Sequence, residues 1–188
     1  MRGIMFRKSI PGKDGIADGE GGRKRAERGG TIRPARIEDA RDVHALRVME
    51  GVRETILALP SERVSDTEEF IRSTKEHLMV AEVDGRVVGM AGLVIPFMAR
   101  QRHTAGVGIM VHTDYQGRGI GRALMESLLD IADNWLMLKR VELSVFTDNE
   151  RAVRLYESLG FVVEGTKRYA AVKNGVHADE YLMARYGK

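Results

Sequence analysis

The sequence predicts an α/β (α+β) fold, a mixed sheet flanked by helices in the order β-α-α-β-β-β-α-β-α-β-β. Three observations predict it. Apolar residues recur every three or four positions in four segments, and they alternate or run continuously in seven others. Two dipeptides, Asp84-Gly85 and Asn174-Gly175, separate strand-like runs as type I′ hairpin turns. No internal repeat interrupts this order, so helices and strands share one core.

Residues 31–33 read as a short strand. Over 37–49, Ala40, Val43, Leu46 and Met49 recur every third position and predict a helix. A second short helix follows, where Ser65 and Glu68 have capping-box spacing and Phe70 and Ile71 supply an apolar side. Residues 77–83 and 86–97 form the first hairpin. The next strand, 103–111, contains Gly106 and Gly108, which suggest a bulge or a close backbone approach. A polar loop leads into a long helix over 120–135, with Ile120, Leu124, Leu128, Ile131 and Trp135 on one face. A strand over 141–146 comes next. The helix over 150–159 ends at Gly160, a residue suited to a left-handed cap. Strands over 161–171 and 176–184 complete the chain.

Charge separates a leader from this body. Residues 1–30 hold eight basic and four acidic residues and eight of the 21 glycines, with no apolar periodicity, and they read as disordered. The remaining 158 residues carry one net negative charge, so the pI near 9.3 belongs to the leader. Arg23, Lys24, Arg25 and Arg28 offer a weak nucleic-acid contact, or are simply a solvated run. Residues 31–188 form the second, functional domain. The absence of cysteine removes disulfides, thiolate zinc sites and thiol nucleophiles. Histidine and carboxylate spacings give no metal motif. No stretch approaches the roughly 20 apolar residues of a membrane span, so a cytoplasmic protein is expected.

Gln116-Gly117-Arg118-Gly119-Ile120-Gly121 lies between a strand and a helix start. Glycines let the backbone approach a ligand, and unpaired amides at a helix N-terminus favour an anion such as phosphate. A tight turn without a ligand has the same signature. The segment lacks the Lys-Ser/Thr ending of a P-loop and the third glycine of a dinucleotide fingerprint. About thirty residues later, Asn149 opens a helix that carries Ala152, Leu155 and Tyr156 and closes at Gly160-Phe161. Asn149 alone suits a plain N-cap, and Tyr156 alone suits core packing.

Together the two segments resemble the GCN5-related N-acetyltransferases. That family's Q-x-x-G-x-G loop is matched by Gln116, Gly119 and Gly121, and its N-x-x-A-x-x-L-Y-x-x-x-G-F helix by Asn149, Ala152, Leu155, Tyr156, Gly160 and Phe161. The resemblance spans 31–188. Its bacterial L-amino-acid N-acetyltransferase branch is similar through Asp133-Asn134-Trp135, Val145-Phe146 with Asp148-Asn149, Glu164-Gly165-Thr166, Tyr169-Ala170 and the ending Tyr181, Met183-Ala184-Arg185. Thr113 departs from the proline of many relatives.

The resemblance implies a partly split sheet whose strands 103–111 and 141–146 diverge to admit acetyl-CoA. Backbone groups of Ile109, Met110 and Val111 would pair with the pantetheine arm. Amides of residues 116–121 (Gln116, Gly117, Arg118, Gly119, Ile120, Gly121) would take the pyrophosphate, with Arg118 or Arg122 adding charge. Asn149 would bond the pantetheine. The Val111 N–H is the expected oxyanion donor and Tyr156 the expected general acid. With no cysteine, direct attack in a ternary complex is expected.

The general base is open among Glu142, Ser144, His112 and a water relay. Acceptor selectivity is expected from residues 48–65 and the last hairpin, where Arg53, Glu54 and Arg168 are candidate grips. Met79, Met90, Met98 and Met110 either line an adaptable pocket or fill core. The function expected is acetyl transfer to the primary amine of a small molecule, a free L-amino acid first. Same-fold alternatives are a protein α-amine, an aminoglycoside or a polyamine. A regulator that senses acyl-CoA or binds nucleic acid is the different-class alternative. Expected partners are acetyl-CoA and a small amine, with no metal, no membrane, no role for nucleic acid, and a homodimer as in many relatives.

Overall fold

The computed structural model describes residues 25–26, 30–74 and 77–187. Its strands are β1 (Arg25–Ala26), β2 (Gly30–Pro34), β3 (His77–Val83), β4 (Arg86–Val94), β5 (Thr104–Val111), β6 (Arg140–Phe146), β7 (Val162–Lys173) and β8 (Val176–Tyr186). Its α-helices are α1 (Ala40–Val48), α2 (Val64–Ser73), α3 (Ile120–Asp130) and α4 (Glu150–Ser158). The strands form one sheet in the order β1-β2-β3-β4-β5-β6-β8-β7. All neighbours are antiparallel except β5 and β6. The leader expected over 1–30 lies outside the described residues, apart from Arg25, Ala26 and Gly30, where β1 pairs with the start of β2.

Side-chain alternation gives the sheet two apolar faces. One packs Leu93, Val107, Leu143 and Met183 under Leu124 and Leu128 of α3 and Tyr156 of α4. The other packs Val80, Met90 and Met110 under Val43 and Leu46 of α1. Burying these chains is what holds helices on both sides. Both hairpins have the predicted turns, with Asp84 and Gly85 at φ 50° and 78° and Asn174 and Gly175 at 50° and 81°.

The structure corrects four local expectations. Helix α2 starts two residues earlier than the expected box implies, and its box is made by Asp66, which accepts the Arg63 N–H at 2.9 Å, instead of Ser65 and Glu68; Ile71 packs on the core while Phe70 is exposed. The helix after Asp130 widens into a π turn, Ile131–Trp135. The extra residue rotates the face, so Ala132 is buried and Trp135 is 78% exposed. Pairing of β5 with β4 is regular through Gly106 and Gly108; register shifts fall instead between Ala81 and Glu82 of β3, and between Val163 and Gly165 and between Lys167 and Ala171 of β7. A Cβ on either β5 glycine would meet nothing within 4 Å, because both border open space. Strand β4 ends at Val94 rather than 97, just before Pro96, which lacks a ladder donor.

Candidate active site

Strands β5 and β6 pair only through Thr104 to Arg140, Ala105 to Val141 and Gly106 to Glu142, then part. The split expected between them opens a cavity of about 570 Å³. Ladder phase decides which backbone groups face it. The His112 N–H donates to the Val88 carbonyl at 2.9 Å, so in the β4–β5 register Met110 and Gly108 bond to Met90 and Gly92. The N–H and C=O of Ile109 and Val111 therefore point away from β4, toward the gap. This corrects the expectation for Met110, which lines the cavity but whose backbone is committed to β4. On the opposite wall, the Thr147 N–H bonds the Asp179 carbonyl at 3.0 Å, which turns the backbone of Ser144 and Phe146 toward the gap by the same alternation.

The loop after β5 is held by Gln116. Its Nε2 donates to the Val111 carbonyl at 2.9 Å, and its Oε1 accepts from Arg151 of α4. The Val111 carbonyl is thereby engaged, leaving its N–H directed into the cavity. Gly117 and Gly119 have φ of 74° and 82°, in a region costly for other residues, and a Cβ there would meet nothing within 4 Å. This is a cradle open to a ligand, at the N-terminus of α3, where the first helical bond is Ala123 N–H to Gly119 carbonyl at 3.0 Å. The amides before it have no intrahelical partner. At Gly121 a Cβ would stand 3.4 Å from Leu155 and 3.5 Å from Ile109, so a glycine lets α3, α4 and β5 approach closely.

Arg118 and Arg122 diverge. The Arg118 guanidinium lies 5.1 Å from the centre of the Tyr115 ring and is not part of the cavity wall, while Arg122 lines it and donates to Ser158 Oγ at 2.6 Å. Ile120 is buried in the core, so only its backbone reaches the loop. Asn149 lines the cavity and also caps α4, its Oδ1 accepting the Ala152 N–H at 3.3 Å. Its Nδ2 donors are what a ligand can use.

Tyr156 also lines the cavity, fixed by the end of its own helix. The Gly160 N–H bonds the Glu157 carbonyl at 3.0 Å and the Phe161 N–H bonds the Tyr156 carbonyl at 3.1 Å, with Gly160 at φ 89°. That is a Schellman cap, completed by the Tyr156 and Phe161 rings at 5.9 Å. Burial pushes the Tyr156 phenol up from its ordinary value, because the phenolate loses solvation. The group holds its proton.

None of the named base candidates stands free in the cavity. Glu142 lies at the paired end of β6 and accepts from Arg140 at 2.9 Å. His112 is buried outside the cavity wall, its Nδ1 taking the Asp114 N–H at 3.2 Å. Ser144 lines the cavity and accepts from Lys167 Nζ at 3.0 Å. The expected grips lie elsewhere too. Glu54 is bonded by the Gly51 N–H and by Arg53, and Arg168 is 80% exposed beside Asp179. Arg53 and Glu54 border a second cavity of about 380 Å³, which shares Ile56, Leu57 and Phe146 with the first. Of the four methionines only Met110 lines the main cavity; Met90 is core, Met79 packs against it and Met98 is exposed.

Sequence reasoning missed Lys167 and Glu180, which both line the main cavity. Register aligns Glu180 with Phe146 on one side and Lys167 on the other. All three share the sheet face of Ser144, opposite α3 and α4. The cavity thus passes through the sheet, from the loop, α3 and α4 on one face to Thr55, Leu57, Lys167 and Glu180 on the other.

Comparison with known proteins agrees with this geometry. The family model described as acetyltransferase (GNAT) family matches residues 46–161, more than half of the chain. The chain is 41% identical over 107 residues to the L-amino acid N-acetyltransferase AaaT of Escherichia coli, covering 57% of this chain and 66% of that enzyme, a little under two thirds of its length. It is 39% identical over 119 residues to the N-alpha-acetyltransferase RimI of Mycobacterium tuberculosis, covering 61% of this chain and 69% of RimI. Its fold superposes on yncA of Salmonella typhimurium, solved with its cofactor acetyl-CoA, with a TM-score of 0.73 at 24% identity over 85% of this chain and 94% of that one. Acetyl-CoA is the family's co-substrate, and the glycine cradle and the free edge of β5 suit its pyrophosphate and pantetheine. This chain belongs to the acetyltransferase (GNAT) family.

Proposed function

We propose that the protein transfers the acetyl group of acetyl-CoA to the primary amine of a small molecule, a free L-amino acid, by direct attack across the split between β5 and β6. The observation that carries this reading is the cavity through the sheet, with a donor-rich wall on one face and an ionisable wall on the other. In that pose acetyl-CoA supplies a thioester carbonyl. The Val111 N–H donates to its oxygen as charge develops there, a fixed dipole that needs no reorganisation. Amides of Gly117 to Gly121 and Arg122 hold phosphate, and Asn149 Nδ2 holds the pantetheine arm. The nitrogen–carbon bond forms as the carbon–sulfur bond breaks; Tyr156 gives its proton to the leaving sulfur, and the proton lost by nitrogen replaces it through solvent.

The free amino acid as acceptor is supported by AaaT, the α-amine of a protein by RimI. Thiol release from acetyl-CoA with a panel of L-amino acids, followed by mass analysis of the N-acetyl product, tests the reading. Release dependent on at least one amino acid is expected. Release no faster than hydrolysis without acceptor, across the panel, discards the amino-acid reading.

A further inference from the structure

The wall of the cavity away from α3 and α4 carries one cation and one anion side by side, and neither is neutralised by an ion pair among the described residues. Lys167 of β7 and Glu180 of β8 are cross-strand partners, yet Lys167 Nζ reaches over to Ser144 Oγ of β6 at 3.0 Å and leaves the Glu180 carboxylate unpaired. Of the other charges at the cavity, Arg151 lies on the α4 wall, where it donates to Gln116, and those bordering this wall are matched. Lys173 is 2.6 Å from Asp148, and Arg53 is 2.7 Å from Glu54. Free opposite charges on neighbouring positions of one wall are the complement of a zwitterion. An acceptor with only positive charges would meet Lys167 as a like charge. A peptide N-terminus would bring an amide where Lys167 offers a charge-assisted bond.

The geometry points to Lys167, supported by Ser144, as the specificity-determining residue that binds the carboxylate of the acceptor, with Glu180 receiving its ammonium end. The acceptor class is then an amine that carries its own carboxylate close by. This rests on the acetyl-transfer reading and selects among its acceptors. Both groups escape detection in the sequence because they come together only through the β6–β8–β7 register. Lys167 sits between Thr166 and Arg168 in a strand whose residues are mostly exposed, and nothing in its local pattern distinguishes it.

The experiment uses the full chain at saturating acetyl-CoA. The L-amino acid turned over fastest is compared with its carboxamide, with its decarboxylated amine and with spermidine. In the wild type, kcat/KM for the acid is expected to exceed that for each of the others by about tenfold or more, the range of a bond to a charged group. Lys167→Met should remove that preference by lowering kcat/KM for the acid about tenfold more than for the carboxamide. Lys167→Arg should restore it. Equal rates for acid and carboxamide in the wild type overturn the inference while leaving acetyl transfer intact, as does a preference for spermidine. So does a Lys167→Met variant that loses acid and carboxamide rates equally, which would make Lys167 merely structural. No thiol release with any amine removes the acetyl-transfer reading itself, and this inference with it.

Discussion

Tyr156 packs in the core and, in the proposed reaction, supplies the proton to the leaving sulfur. Its ring belongs to the core that packs under α3, and the residue lines the cavity. Because burial raises its pKa above the phenol value of about 10, the proton is kept across the neutral range. Two expectations follow at this scale. Tyr156→Phe should lower kcat by about 100-fold, as loss of a general acid does, with a smaller rise in the acetyl-CoA KM and an unchanged melting temperature. In the wild type, kcat should show no alkaline fall below about pH 10, since a raised acid pKa keeps the donor form on the low-pH side of the shift; a profile of kcat against pH checks it. Residues in a contiguous motif, such as Asn149 and Tyr156, were legible in the sequence. Met110 was legible as a cavity residue, but the direction of its backbone depends on ladder phase, which no local pattern encodes.

At the scale of elements, short-range chemistry decided what was readable. The Asp84-Gly85 and Asn174-Gly175 turns and the Gly160 cap are backbone conformations that particular residues demand, and each occurs where expected. The π turn is different. Ile131 and Trp135 fit the apolar stripe of a continuous helix, and the one-residue widening accompanies burial of Ala132 and Leu138 and exposure of Trp135. The glycine loop depends on left-handed residues in the same way as the turns. Gly119→Ala places a Cβ in open space, so its cost is conformational only, about 1–2 kcal/mol. A lower urea midpoint together with a raised acetyl-CoA KM is expected, whereas a changed midpoint with an unchanged KM would detach the loop from cofactor binding.

For the whole molecule, the sheet does two jobs with one discontinuity. Packing on both faces holds β2 to β5 and β6 to β7 as continuous halves, and the three-residue contact between β5 and β6 leaves a passage between them. Fold and the wall built by the Gln116 loop and α4 were legible because they rest on periodicity and on two motifs. The opposite wall was legible only as regions, residues 48–65 and the last hairpin, because the register shift between Lys167 and Ala171 decides which hairpin residues, here Lys167 and Glu180, line the cavity. Among the described residues the cavity lining runs from Thr55 to Glu180, and deletion of residues 1–24 is expected to leave kcat and the acetyl-CoA KM unchanged. The central claim is that donor and acceptor meet through the passage at once. Initial rates over a matrix of acetyl-CoA and amine concentrations test it most directly. Double-reciprocal lines that intersect are predicted; parallel lines, with an acetylated enzyme found by intact mass in the absence of amine, would contradict it.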